Sequence, residues 1–223
     1  MRQVLQVVLS ILLILWVFGQ VRMPTGPLGR RALQAMNRTH ATLTDWGLQY
    51  PHVTKNATIL DIGCGGGRTV QRLASLAPEG TVHGIDYSAA SVAASRETNA
   101  PEIETRRVQI HLGSVTALPF PDRTFDVATA VETHYYWPDL PANLREVLRV
   151  LKPGGTFALI AETYRGGRLN ALYSVAMRLL RAAYLSDAEH RDLLTQAGFT
   201  DVSTMHAPGR SWICAMGRRA SSP

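Results

Sequence analysis

Alternating apolar runs and helical stretches predict an α/β fold. The expected architecture is a doubly wound, mostly parallel seven-stranded sheet ending in an antiparallel hairpin and preceded by an N-terminal hydrophobic helix. Three observations carry this. Short apolar runs between residues 58 and 161 are separated by segments long enough for crossover helices, which implies parallel pairing. A glycine-rich loop, Gly63-Cys64-Gly65-Gly66-Gly67, follows the first run, where such sheets bind ligands. The last two runs are joined by a short loop containing Pro208-Gly209, which suits an antiparallel pair.

The chain starts with a stretch free of charge from Gln3 to Val21. At 1.5 Å per residue it is roughly 28 Å long, close to the hydrocarbon thickness of a bilayer. Trp16 and Phe18 lie near one end, where aromatic rings suit the headgroup region, and Arg22 closes the stretch. A cleaved signal peptide would have a shorter apolar run and small residues at the cleavage site, and Val17-Phe18-Gly19 matches that poorly. A buried core helix is disfavoured for a segment that is hydrophobic all round and lies outside the domain. Residues 1–22 are therefore expected to be a membrane anchor. Arg22, Arg30, Arg31 and Arg38 follow the span and only Arg2 precedes it, which places the domain in the cytoplasm. Cys64 and Cys214 have no metal-ligand spacing, and a disulfide would immobilise the loop, so a reducing compartment is the simpler reading.

Residues 23–56 are expected to be a linker, rich in Pro and Gly as far as Gly29, and then a cap helix from Arg30 to Leu48. The catalytic domain is expected over 57–223. Its strands are read at 58–62, 81–85, 108–112, 125–131, 156–161, 199–205 and 211–216. Helices are read at 69–76, 88–97 and 140–151, and Lys152-Pro153-Gly154-Gly155 is read as a turn. Ser186-Asp187-Ala188-Glu189 has the form of a capping box, so a further helix starts there and Gly198 ends it. Between them, Arg165 to Leu185 has apolar residues at helical spacing with arginines mostly off the stripe. It reads as a helix packed on the sheet or lid, or as an interfacial helix facing lipid.

Net charge is +6, and 46% of residues are hydrophobic, which is enough for a core. The basic residues are dispersed and are not interleaved with aromatics, so a nucleic-acid partner is not expected.

The loop spacing narrows the chemistry. A dinucleotide fingerprint needs G-x-G-x-x-G, but counting from Gly63 its third glycine falls on Arg68, and counting from Gly65 it falls on Val70. No G-K-[ST] follows, which excludes a P-loop. What fits is Asp61-x-Gly63-x-Gly65-x-Gly67. With it come Gly84-Ile85-Asp86-Tyr87-Ser88, Leu118-Pro119-Phe120, Phe125-Asp126, Val147 to Gly155, and Gln196-Ala197-Gly198-Phe199, in that order. This ordered set resembles the class I S-adenosylmethionine-dependent methyltransferases, over roughly residues 58–216.

The resemblance implies a Rossmann-like fold, S-adenosylmethionine as cofactor and a small-molecule methyl acceptor. It implies Asp61, Gly63, Cys64, Gly65 and Gly67 in or beside the cofactor loop. Asp86 and Tyr87 fall at the ribose, Ser114 and Val115 at the adenine, and Glu132 near the cofactor or loop. The family often carries an acid where this chain has Ser114, which predicts weaker recognition of the adenine amino group. In Glu132-Thr133-His134-Tyr135-Tyr136-Trp137, His134 is a candidate general base, and a surface histidine is the alternative. No metal site is expected. The acceptor is expected to be small and, given the anchor, membrane-soluble. A catalytically inactive cofactor-binding module is the alternative. A dinucleotide-dependent oxidoreductase is disfavoured by Arg68.

Overall fold

The structure, a computed structural model, describes residues 25–167 and 170–221. The segment 3–21 lies outside these residues. Among the described residues, no helix is long and apolar enough to cross a membrane.

Helix α1 spans Gly26–Thr39, so the residues expected as a linker are already helical from Gly26. Pro27 sits in the first turn, where a missing N–H costs nothing, so the Pro/Gly signal marked a helix start. The single cap helix expected over 30–48 breaks at His40, and α2 spans Ala41–Gly47.

Seven strands follow: β1 Thr58–Ile62, β2 Thr81–Asp86, β3 Val108–Leu112, β4 Phe125–Val131, β5 Leu151–Ala161, β6 Thr200–His206 and β7 Ile213–Arg218. The helices between them are α3 Arg68–Leu76, α4 Ala89–Thr98, α5 Ala100–Glu104, α6 Leu140–Val150, α7 Asn170–Leu179 and α8 Asp187–Ala197. The sheet order is β3-β2-β1-β4-β5-β7-β6. The first five strands pair in parallel, and β7 lies antiparallel to both β5 and β6.

Side-chain alternation builds two cores. Ile59, Val127 and Ala158 point to one face, with Val70 and Leu73 of α3 and Leu43 of α2. Their neighbours Leu60, Ala128 and Phe157 point to the other, with Leu144 and Val147 of α6 and Leu194 of α8.

Strand β5 starts earlier than the sequence suggested. It runs through Lys152-Pro153-Gly154-Gly155, and its register against β4 shifts between Phe125 and Val127. Gly154 takes φ +76°, so the expected turn is instead an irregularity inside the strand. The capping box forms as read: Ser186 Oγ accepts from Glu189 N at 3.2 Å, and a Glu189 carboxylate oxygen accepts from Ser186 N at 2.7 Å.

Several segments that matched the family in sequence prove to be braces of the fold. Arg149 donates to the carbonyls of Phe120 (2.9 Å) and Leu118 (3.1 Å), and Glu146 accepts from Leu118 N at 2.8 Å. Asp126 accepts from Thr58 N and from Lys152 Nζ, both at 2.8 Å, tying the start of β1 to β4 and β5.

Candidate active site

The parallel strands end at a common edge, and a cavity of about 330 Å³ opens there. That size is within the range of small-molecule sites. The glycine loop forms its floor. Gly63, Gly65 and Gly67 take φ of +75°, +50° and +85°, a region that side-chain-bearing residues rarely adopt.

Gly67 turns the chain into α3 against α4. A Cβ there would lie 2.5 Å from Ser95 Oγ and 2.8 Å from Ser95 Cα. A Cβ on Gly65 would meet only Leu33, at 3.8 Å, so that glycine faces the open cavity. Neighbours hold the loop from behind. Asn37 Nδ2 and Thr98 Oγ1 donate to the Gly66 carbonyl at 3.1 and 2.7 Å, and Asn99 Nδ2 donates to the Gly67 carbonyl at 3.0 Å.

Asp86, at the end of β2, accepts from Gly65 N at 2.9 Å through one oxygen and from Ser88 N at 2.8 Å through the other. Ser91 donates through its side chain as well, and a ribose that displaces this hydroxyl would find two acceptor sites for its vicinal hydroxyls while the carboxylate still holds the loop. Burial raises its pKa, and the backbone donors and the Ser91 side chain oppose this. The open face at Gly65 and the paired acceptor at Asp86 fit the ribose and methionine parts of S-adenosylmethionine.

Asp61 takes a different place. It is 1% exposed, accepts from Thr129 Oγ1 at 2.7 Å, and does not line the cavity. Burial pushes its carboxyl up to about 7, with Asp86 adding to the rise and the Thr129 bond opposing it. It joins β1 to β4 beneath the loop. Cys64 lines the cavity, but burial raises its thiol pKa well above the ordinary value, so it is no nucleophile at neutral pH.

Tyr87, Ser114 and Val115 also line the cavity, the last two being the residues that the resemblance assigns to the adenine. Ser114 Oγ accepts from Thr116 N at 3.2 Å and from Thr116 Oγ1 at 3.0 Å. Both lone pairs are spoken for, so this hydroxyl offers a ligand a donor and no acceptor. A carboxylate there would keep the turn and have acceptor capacity left for an amino group. Ser114→Asp is expected to tighten S-adenosylmethionine about tenfold in calorimetry, the worth of one charge-assisted hydrogen bond. An unchanged affinity would count against this placement of the adenine.

Beyond β4 the chain makes a short 3-10 turn, His134–Tyr136. It buries His134, the base candidate, at 0% exposure against Tyr135 and His190, away from the cavity lining. Among the described residues neither ring nitrogen has a hydrogen-bond partner. A base must reach the proton it takes, so His134 does not fill that role.

Burial lowers the His134 pKa well below the ordinary imidazole value, and His190 lowers it further. The unfolded chain takes up this proton near pH 6.5 and the folded chain does not, so His134 destabilises the fold progressively as pH falls below that point. His134→Leu is expected to match the parent's stability at pH 7.5 and to exceed it increasingly as pH falls below 6.5 toward 5. A constant difference across that range in scanning calorimetry would refute this.

The polar wall of the cavity is built by Glu132 instead, with two residues the sequence did not single out. Glu132 lines the cavity with φ +59°, a conformation that costs a side-chain-bearing residue about 1 kcal/mol. Its Oε1 accepts from Tyr135 OH at 3.0 Å and from Glu162 N. Burial pushes its carboxyl up to about 7, and the nearby Glu162 carboxylate adds to the rise. Glu162 follows β5. His40, in the break between α1 and α2, brings its Nε2 to 3.9 Å from a Glu162 carboxylate oxygen. One ligand atom from each of His40, Glu132 and Glu162 lies within 4.8 Å of the other two, a spacing that could hold a cation. Apolar side chains line the cavity from the two covering helices: Leu33 and Met36 from α1, with Ala176, Met177 and Leu180 from α7 and the turn after it.

The family described as Methyltransferase domain matches residues 60–159. The chain is 36% identical over 123 residues to an uncharacterized methyltransferase of Schizosaccharomyces pombe, covering 53% of this chain and 44% of that one. It is 37% identical over 107 residues to the demethylmenaquinone methyltransferase of Symbiobacterium thermophilum, covering 48% and 43%. The chain thus spans less than half the length of these two relatives.

Among solved structures, one chain of the complex between the Haloferax volcanii Trm112 methyltransferase activator and a putative methyltransferase superposes with a TM-score of 0.73. It is 20% identical, with 85% of this chain and 94% of that one covered. A SAM-dependent methyltransferase from Aquifex aeolicus gives 0.69 at 18% identity, covering 86% and 98%.

Proposed function

We propose that this chain is a class I S-adenosylmethionine-dependent methyltransferase that transfers a methyl group to a small apolar acceptor bearing one ionisable or hydrogen-bonding group. The observation that carries the reading is that one cavity is lined both by groups suited to the donor and by an apolar set suited to an acceptor. The glycine loop, Asp86 and Ser114 are the first. Leu33, Met36, Met177 and Leu180 are the second, in the same lining as Glu132, Glu162 and His40.

When bound, S-adenosylmethionine supplies a methyl group already activated by its sulfonium, so much of the rate can come from in-line positioning and exclusion of water. Asp86 would orient the ribose, and α1 and α7 would cover the acceptor. Glu132 would accept the acceptor's proton, the role the sequence had suggested for His134. The likeness to a demethylmenaquinone methyltransferase supports a lipid-soluble acceptor of the quinone class.

We also propose that residues 1–22 anchor the chain in a membrane with the domain on the cytoplasmic side. The absence of charge from Gln3 to Val21 and the arginines that follow support this.

The test is incubation of the protein and methyl-labelled donor with a membrane lipid extract and, separately, a polar metabolite extract, followed by mass spectrometry. A labelled product from the lipid fraction is expected. Donor binding without product from either extract would favour an inactive binding module, and binding of a nicotinamide cofactor would revive the oxidoreductase alternative.

A further inference from the structure

Helix α7 is apolar on two faces. Tyr173, Ala176 and Met177 line the cavity. On the other side Ala171, Val175 and Leu179, four residues apart, form an exposed stripe, with Val175 60% and Leu179 74% exposed. A surface helix normally turns a polar face outward, and one that does not has a partner.

Charge indicates which partner. Between Glu162 and Asp187 the chain carries Arg165, Arg168, Arg178 and Arg181 and no acidic residue. Arg165 pairs with Glu189. Arg178 and Arg181 are exposed beside the apolar stripe. An apolar stripe edged by arginines suits an anionic lipid surface. A second copy of the chain is a poorer match, because so small a stripe covers far less than the roughly 1,200 Å² a stable protein interface buries.

The chain ahead of α1 agrees. The uncharged segment 3–21 ends five residues before Gly26. Helix α1 then carries Leu33, Met36 and Asn37 to the wall of the same cavity. Gly26 to Met36 is about 15 Å along the helix, so the start of α1 lies that far along it from the cavity wall.

We propose that the outer face of α7 docks on an anionic bilayer surface. Val175 and Leu179 enter the boundary between headgroups and acyl chains, Arg178 and Arg181 engage lipid phosphates, and the cavity behind the helix opens toward the leaflet. An apolar acceptor then passes from lipid to the cavity without crossing water. This purpose rests on the methyltransferase reading, whereas the docking itself does not.

The experiment places a nitroxide on the full chain at Leu179→Cys and, as an aqueous control, at the exposed Ala188→Cys on α8. Collision rates with oxygen and with a water-soluble nickel chelate are compared by electron paramagnetic resonance. With phosphatidylglycerol-containing vesicles, position 179 is expected to be rich in oxygen collisions and shielded from nickel, and position 188 the reverse. Arg178→Glu with Arg181→Glu should return position 179 to water while the N-terminal anchor keeps the protein on the vesicle.

The proposal falls if position 179 stays water-accessible on anionic vesicles, or if pure phosphatidylcholine shields it equally. It also falls if shielding occurs without vesicles in a protein that light scattering shows to be dimeric. S-adenosylmethionine binding, measured separately by calorimetry, distinguishes the two readings. Lost donor binding with position 179 inserted removes the methyltransferase reading and leaves the docking, and the opposite result removes only the docking.

Discussion

Replacing Asp86 with Ala is expected to weaken S-adenosylmethionine binding on the order of 100-fold, about 2.7 kcal/mol, in calorimetry of the purified protein. The carboxylate has two tasks, and the substitution removes both. It would lose the acceptors for the two ribose hydroxyls, and it would leave Gly65 N–H and Ser88 N–H without the oxygens that now hold them at 2.9 and 2.8 Å. The second loss loosens the floor of the site even before a ligand arrives. Asp86→Asn should be nearly as damaging, because the amide turns a donor toward one of those N–H groups. Asp86→Glu keeps the charge and should lose less.

Burial raises the Asp86 pKa, and binding requires the ionised form. The parent should therefore lose donor affinity, as pH falls, at a higher pH than an ordinary aspartate would dictate. Affinity within threefold of the parent for Asp86→Ala, with an unchanged melting temperature, would place the ribose elsewhere.

How far the site could be read in advance depended on which physical signal each residue left in the chain. Strands β3 and β4 match the apolar runs at 108–112 and 125–131 because both are short, apolar and bounded by turn residues. The same logic located the loop and Asp86, which sit at strand ends by topology alone. The capping box at Ser186 was legible because capping is a purely local bond pattern.

The failures share a different character. Helix α1 begins inside a Pro/Gly stretch, and β5 runs through one. Those residues mark a helix start, a turn or a strand irregularity equally well, and only tertiary packing chooses between them. His134 and Glu132 stand two residues apart in an irregular segment, where no periodicity says which side chain faces in. The positive φ at Glu132 and the 3-10 turn after it send the glutamate to the cavity and the histidine to the core. His40 and Glu162 are 122 positions apart in sequence, and each left only a bland local signal.

That reassignment carries the second large prediction. Glu132→Gln preserves shape and keeps an oxygen for Tyr135 OH and the Glu162 N–H, yet it cannot take a proton. Donor affinity should stay within a few-fold of the parent, while kcat with an acceptor that must lose a proton falls by about 10²–10⁴, the usual worth of a positioned base. The pH profile supplies a readout that a merely structural role would not move. Burial pushes the Glu132 carboxyl up to about 7, and the base works only when ionised, so the parent's rate should rise with pH and level off above that point. A sulfonium bound near the carboxylate would favour its charged form, so the acid limb of kcat should lie below that of kcat/KM for the donor, which reports the donor-free enzyme. Glu132→Gln should lose this limb, and Glu132→Asp should keep it at reduced rate. If Glu132→Gln keeps both the parent's kcat and its acid limb, proton removal belongs to water or to the acceptor itself. Catalysis would then rest on the in-line positioning that the glycine loop, Asp86 and the two covering helices provide.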